Sequence, residues 1–458
     1  LKRISIVCAV DNTKPRLIST VSWVLYDLAN TAYSMNVVSL YFGTWLLIHL
    51  GQPDLMLSLA NSISMGLVAI TLPVLGELSD CKGKKLVSLL IFTILCIGGT
   101  ALLGGWDLVL IKWVALSAHP IRSAAIMGWL IVMTYIAANY AYQGGLVFYN
   151  ALLPSVSTPR TMGRVSGYGV AVGYFGSAIG LLVARVFVDG TFLGRKIASL
   201  EGGGPAASFL PTALLFFVFA VPIFIFVSEP PLPAAGKRSW NLRKSYRRVW
   251  TSLRDTQKYP GLLRFLVAKF FYEDSIETVI IFMGVFTQKV MGFTLSQTNT
   301  FFFLVIPAAV IGSALCGVLT DHYGPKKTLV SVIALWICAL GVVIANSSAI
   351  VYWMMGGVIG ALMGATWTSA RPLLVTLVPG EMLGEFFGLY ALTGKAAAII
   401  GPLIWGGVTI ALNSFSVAVQ YKSALAVLAG LMSVGLLLLC RVPDLHRQQQ
   451  AASDAQVF

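Results

Sequence analysis

The sequence predicts an all-α integral membrane protein: twelve transmembrane helices in two pseudo-symmetric six-helix bundles. Three observations predict it. Only 11% of the 458 residues are charged while 57% are hydrophobic, and the mean hydropathy is +0.82, whereas a soluble chain carries about 25% charged residues. Twelve runs reach the ~20 mostly apolar residues needed to cross a bilayer. The two halves of the chain also repeat each other. This composition excludes an ordinary soluble enzyme. It excludes nucleic-acid binding as well, because the net charge of +14 is small for the length and sits in a few loops, as basic topogenic loops do.

The predicted spans are 22–48, 55–78, 86–105, 123–150, 165–188, 208–228, 262–287, 297–319, 328–346, 350–377, 386–411 and 423–440. The stretch before the first is too short in its apolar part for a signal-peptide core, so span 1 is expected to be retained. The termini and even-numbered loops hold 21 Lys and Arg, the opposite loops hold 6, and 5 lie inside spans. By the positive-inside rule both termini are cytoplasmic. The division is residues 1–228, a basic linker 229–258, residues 259–441 and a tail 442–458. In the linker, Arg243, Lys244, Arg247, Arg248 and Arg254 surround Trp240, Tyr246 and Trp250. That pattern suits either an amphipathic helix on an anionic leaflet or a solvated topogenic linker. The six cysteines show no ligand spacing, so neither a disulfide framework nor a metal site is expected.

The repeat is explicit. Gly76, Asp80, Gly83, Lys84 and Lys85 after span 2 match Gly317, Asp321, Gly324, Lys326 and Lys327 after span 8. Gly163, Gly167, Gly173 and Gly180 recur as Gly384, Gly388, Gly394 and Gly401, each shifted by 221 residues. Tyr26-Asp27 in span 1 pairs with Tyr272-Glu273 in span 7. Parallel six-helix repeats are a transporter layout, with the solute site between the halves near the membrane midplane.

The turn Gly76 to Lys85 resembles the major facilitator signature G-x-L-x-D-x-x-G-[RK]-[RK], and residues 317–327 hold its second copy. The run Trp23-Val24-Leu25-Tyr26-Asp27-Leu28-Ala29-Asn30-Thr31-Ala32-Tyr33 is similar to the start of the vacuole-effluxer-like branch of that superfamily. Tyr149 to Pro154, Gly163 to Gly167, Phe265 to Ile280 and Glu385 to Lys395 agree with it, so the resemblance covers nearly the whole chain. It implies the major facilitator fold and secondary transport, with amino-acid efflux the best-known activity of the branch. Two blocks depart from the branch pattern: Thr368-Ser369-Ala370-Arg371-Pro372 stands where S-R-S is usual, and Tyr272-Glu273-Asp274-Ser275 where Y-N-D-G is common.

Charges within spans are costly, about 2.5 kcal/mol or more at a helix centre, and so mark candidate functional sites. Asp27, with Asn30 at i+3, either exchanges a proton as water access alternates or stays ionised and closes a gate against a cation. Lys269, Glu273 and Glu277 form one stripe with Asp274 beside it; Lys269 and Glu273 are expected to pair, leaving Asp274 and Glu277 for a proton, a cationic solute group or Arg371. Asn139, Gln143 and Asn150, flanked by Tyr149, suit either a zwitterionic solute or interhelical hydrogen bonds. Trp367 and Arg371 follow in span 10, where Arg371 either holds a carboxylate or latches to Asp27, Glu273 or Asp274. Lys395 is expected to snorkel to the cytoplasmic surface, Arg185 and Asp189 to form a surface pair, and the signature turns to act as a cytoplasmic gate. Gly169, Gly173, Gly176 and Gly180 predict close helix packing.

The resulting expectation is a secondary transporter, without cofactor, that moves a small polar solute by alternating access around spans 1, 4, 7 and 10. Amino-acid export with proton exchange is the form expected. The partners are the solute, H+ and the bilayer, with no nucleic acid, and the protein is expected to be a monomer in a bacterial plasma membrane. A transport-inactive sensor or scaffold, or a carrier of lipid, metal or tetrapyrrole, is the alternative. With no P-loop, no HExxH and four histidines, no catalytic constellation is present.

Overall fold

The computed structural model describes residues 17–82, 85–116, 120–157, 162–192, 195–196, 202–229, 242–378 and 382–444. Its first helical rod, α1, runs through Leu17–Tyr33, Ser34–Tyr41, Phe42–Thr44 and Trp45–His49, with wide i→i+5 turns in the second and fourth pieces. Five more precede the linker: α2 (Asp54–Lys82), α3 (Lys85–Leu116), α4 (Pro120–Ala151), α5 (Met162–Asp189) and α6 (Phe209–Phe226). After it come α7 (Leu262–Lys289), α8 (Leu295–Tyr323), α9 (Pro325–Ala345), α10 (Ala349–Leu377), α11 (Leu383–Ala397 and Ile400–Ala411) and α12 (Val417–Cys440).

Among the described residues, nine of these rods are long and apolar enough on their own to cross a membrane. The other three, α1, α4 and α7, carry Asp27 and Asn30, then Asn139 and Gln143, then Lys269, Glu273, Asp274 and Glu277. Polarity that lowers their apolar score is therefore polarity turned into the bundle, since most of these side chains are buried or half-buried.

Contacts repeat between the first six helices and the last six. α1 packs on α5 and α6 as α7 packs on α11 and α12, while α2–α4, α3–α4 and α3–α6 correspond to α8–α10, α9–α10 and α9–α12. The 221-residue glycine repeat is the geometric basis of this symmetry. A Cβ on Gly173 would lie 3.1 Å from Asp27 Oδ2, and one on Gly394 would lie 2.9 Å from Glu273 Oε2. One turn or two further on, Gly180 faces Ala32 and Gly401 faces Thr278. Gly169 meets the Trp23 ring and Gly176 the Leu28 backbone, so all four predicted packing glycines lie against α1. Without a hydrophobic drive inside a membrane, such close approach supplies the dispersion contacts that hold helices together.

Three expectations change. α3 extends to Leu116, beyond the expected end at 105, because Gly104-Gly105 does not break a helix whose following residues stay mostly apolar until Pro120. α11 is interrupted between Ala397 and Ile400. A minimal antiparallel ladder pairs Thr191 with Lys196 and Phe192 with Arg195, so the protein is not wholly helical. Within the linker, Leu242–Asp255 is a helix.

Candidate functional site: a charged seam between the two halves

On α1, Trp23 and Tyr26 build the floor beneath Asp27. The Trp23 ring stacks on Tyr149 at 4.5 Å and its Nε1 donates to the Tyr149 carbonyl at 3.1 Å. Tyr26 also stacks on Tyr149, at 5.2 Å, and shares a 2.7 Å hydrogen bond with Thr93. Asp27 is half-buried above them. Beside its carboxylate lie Asn30 and Tyr149, both 2% exposed, whose Nδ2 and hydroxyl interact with it. Two donors next to a carboxylate make a compact polar group on α1 and α4.

On α7 the stripe is resolved residue by residue. Lys269 is 1% exposed, pairs with Glu273 as the i,i+4 spacing predicts, and holds its ammonium 4.0 Å from the Tyr390 ring centroid. Gly394 leaves room for both members of that pair. Asp274 Oδ1 accepts the Gly401 N–H at 2.7 Å, at the start of the second piece of α11, and among the described residues it forms no ion pair with Arg371. The interruption of α11 exposes an amide that needs an acceptor, and Asp274, 2% exposed, is that acceptor. Glu277 sits within electrostatic reach of Lys395, Glu273 and Lys269.

Lys395 does not snorkel. Its Nζ donates to Gln143 Oε1 at 2.6 Å, crossing from α11 to α4. A charged group can stay at this depth because Gln143 accepts from it and Glu277 lies near. Arg371 makes no latch in this state: it is exposed on α10, and among the described residues no carboxylate lies within ion-pair distance of it. Its charge is within reach of Asp27 and Lys269. Trp367 is half-buried one turn away, and Asn150 is exposed. Asn139 is fully buried, one turn before the buried Gln143, and neither of its side-chain polar atoms is hydrogen-bonded among the described residues.

The end of the bundle away from the linker is closed. Asp54 Oδ1 accepts from Tyr421 at 2.7 Å and from Lys289 at 3.3 Å, joining α2, α7 and α12. Gln288 donates to Thr44, and Arg185, besides pairing with Asp189, donates to Ser296 at 2.9 Å and Thr300 at 3.4 Å on α8. The expected surface pair is thus part of a latch between halves. Ser62 on α2 donates to the carbonyl of Ile399, between the two pieces of α11.

On the linker side, Tyr246 of the linker helix donates to the Ile70 carbonyl on α2, tying the linker to the first half. Asp321 is exposed there with no ion pair among the described residues, and Gly324 turns the chain into α9 at φ +88°. Lys85 donates to the Ala151 carbonyl and Lys326 to that of Cys440, each within its own half; Lys327 and Gly317 lie at the same end. Gly83 and Lys84, with the side chains of Gly76 and Asp80, lie outside the described residues. The described side-chain bonds between the two halves thus lie at the far side, around Asp54, Gln288 and Arg185, and in the charged seam, through Lys395 and Gln143.

Sequence reasoning missed Asp54, Lys289 and Glu229. Glu229 accepts the Leu86 N–H at the start of α3, and its place at the head of a basic linker hides that role. No cluster among the described residues could hold a metal ion.

Comparison with known proteins agrees with this architecture. The family profile described as vacuole effluxer Atg22 like matches residues 55–453. The chain belongs to the vacuole effluxer Atg22-like family. An uncharacterized MFS-type transporter, YxiO of Bacillus subtilis, is 26% identical over 431 residues, covering 92% of this chain and 94% of its own. Autophagy-related protein 22 of Coccidioides immitis is 24% identical, but the match takes in 55% of this chain and 44% of that longer protein. Among solved structures, the nucleoside transporter NupG superposes with a TM-score of 0.65 at 13% identity, covering 93% of this chain and 99% of that one. A bacterial homolog of the human lysosomal transporter Spinster, inward-facing and unoccupied, also gives 0.65, at 14% identity and covering 93% and 96%. An Atg22-like chain thus has the major facilitator fold, and its relatives are membrane transporters rather than enzymes.

Proposed function

We propose that this protein exports a small zwitterionic solute of amino-acid type in exchange for protons. The observation that carries the reading is the seam itself: Lys269 with Glu273, Glu277 near Lys395, and Lys395 bonded to Gln143, facing the Asp27–Asn30–Tyr149 group across the gap. Charges of both signs beside amide and phenol groups suit a solute carrying an ammonium and a carboxylate. Asp27 and Glu277 are the carboxylates not consumed by a direct ion pair or a backbone cap, so they exchange the proton. Arg371, exposed on α10, meets the solute carboxylate on entry.

The basic excess supports placing the termini and linker in the cytoplasm of a bacterial plasma membrane. Transport then consists of rocking the halves: the far-side latch around Asp54 and Arg185 opens while the signature turns, Gly76 to Lys85 and Gly317 to Lys327, close the linker side. The test is counterflow: proteoliposomes preloaded with unlabelled solute are given the labelled solute, across a panel of L-amino acids. Saturable counterflow with a panel member is expected. No counterflow with any amino acid, set against counterflow with a nucleoside or a sugar, contradicts the substrate class.

A further inference from the structure

The linker helix, Leu242–Asp255, is long, basic and joined to both halves. It touches α2 and the first piece of α11, one from each half. Its inner side is anchored: Ser252 is 4% exposed, and Thr256, in the turn that follows, is fully buried. Tyr246 donates at 2.7 Å to the carbonyl of Ile70, a residue whose own side chain is 62% exposed on the outer surface of α2. On a chain whose rods cross a bilayer, such an exposed apolar surface faces lipid. The linker helix therefore lies against the edge of the bundle where protein, lipid and water meet.

Its outer side has a composition that neither water nor the hydrocarbon core explains. Trp250 is 70% exposed, with Leu253 and Tyr246 about 40% exposed beside it. Arg247 and Arg254 are also exposed, three residues before and four after Trp250, so the three share one helical face with Trp250 in the middle. An indole prefers the headgroup layer, and guanidinium groups on either side of it are placed for phosphate oxygens, to which they donate in pairs. The neighbouring Arg243, Lys244 and Arg248 raise the charge of the same segment.

We infer that the linker helix is a docking surface for anionic phospholipid headgroups: Trp250 seats it in the interfacial layer, and Arg247 and Arg254 hold the phosphates. Because the helix touches α2 and α11, the bound lipid is attached to both halves at the linker side.

The test is native mass spectrometry of the full-length protein in detergent, titrated with phosphatidylglycerol and separately with phosphatidylcholine. The parent protein is expected to bind phosphatidylglycerol more tightly. The double variant Arg247→Gln, Arg254→Gln is expected to lose about fivefold in affinity per removed charge, with phosphatidylcholine binding unchanged. Lys422→Gln, a basic residue at the far side, is expected to bind as the parent does. Quenching by brominated phosphatidylglycerol, read as the difference between parent and Trp250→Phe, is expected to show the indole in contact with lipid. Equal affinity of the double variant and the parent for phosphatidylglycerol would overturn the inference. So would tighter binding of soluble polyglutamate than of phosphatidylglycerol, which would assign the face to an acidic protein.

Discussion

Replacing Gly401 by alanine tests the packing on which the seam depends. The added Cβ would collide with Thr278 Oγ1, and would lie 2.8 Å from Asp274 Oδ1 and 2.9 Å from the Asp274 carbonyl. Backbone atoms on α7 cannot rotate away, so the two helices must separate. Overpacking of this kind costs about 1–3 kcal/mol, and separation also weakens the 2.7 Å bond from Gly401 N–H to Asp274, worth about 1–3 kcal/mol for a carboxylate acceptor. Gly388 in the same helix has nothing within 4 Å of the position a Cβ would take, and alanine there is expected to gain about 0.5–1 kcal/mol from helix propensity. Thermal denaturation of the purified protein therefore separates them: at about 2 °C per kcal/mol, Gly401→Ala melts some ~4–10 °C below the parent, and Gly388→Ala at or slightly above it. Asp274→Asn keeps an acceptor oxygen and is expected to melt near the parent, whereas Asp274→Ala falls with Gly401→Ala. Equal melting of Gly401→Ala and Gly388→Ala would refute the reasoning.

Glu273→Gln leaves the Lys269 ammonium buried without its counter-charge, at a cost of about 3–5 kcal/mol, and adding Lys269→Met is expected to recover most of the lost melting temperature; a double variant no more stable than the single one contradicts a mutual pair. Gly176→Ala drives a Cβ into the Leu28 carbonyl, so size-exclusion chromatography is expected to show little monodisperse protein, and a normal elution profile would contradict the α1–α5 packing. Asp54→Asn removes the charge that faces Lys289, and loss of about 1–2 kcal/mol from far-side closure raises maleimide labelling of a Leu40→Cys reporter about 5–30-fold. An unchanged labelling rate contradicts the latch.

What the sequence revealed and what it concealed follow from the range of each signal. Helix positions, the repeat and the glycine seam were legible because they rest on local apolar length and a constant offset: Gly173 and Gly394 sit against Asp27 and Glu273 as the 221-residue repeat implies. The Lys269–Glu273 pair was legible because four residues make one helical turn. Lys395 was misplaced because its partner, Gln143, is 252 residues away; a lysine near a helix end looks the same whether it snorkels or bridges. Asp274 was left open to a proton, a solute or Arg371 because its bond to the Gly401 N–H follows from the interruption of α11, which Gly401-Pro402 signals locally, Pro402 clashing with the carbonyl four residues back, without indicating which acceptor on α7 meets it. The far-side latch unites α2, α5, α7, α8 and α12 through single polar residues at helix ends, where each alone reads as a surface group.

The most direct test of solute–proton exchange at the seam uses proteoliposomes enclosing a pH-sensitive dye, challenged with the amino acid that shows counterflow, in parent, Asp27→Asn and Glu277→Gln forms. The account predicts solute-driven proton movement in the parent and its loss in both variants, with solute counterflow retained by at least Glu277→Gln. Proton movement that persists unchanged in both variants, or solute flux with no proton movement in the parent, would contradict it.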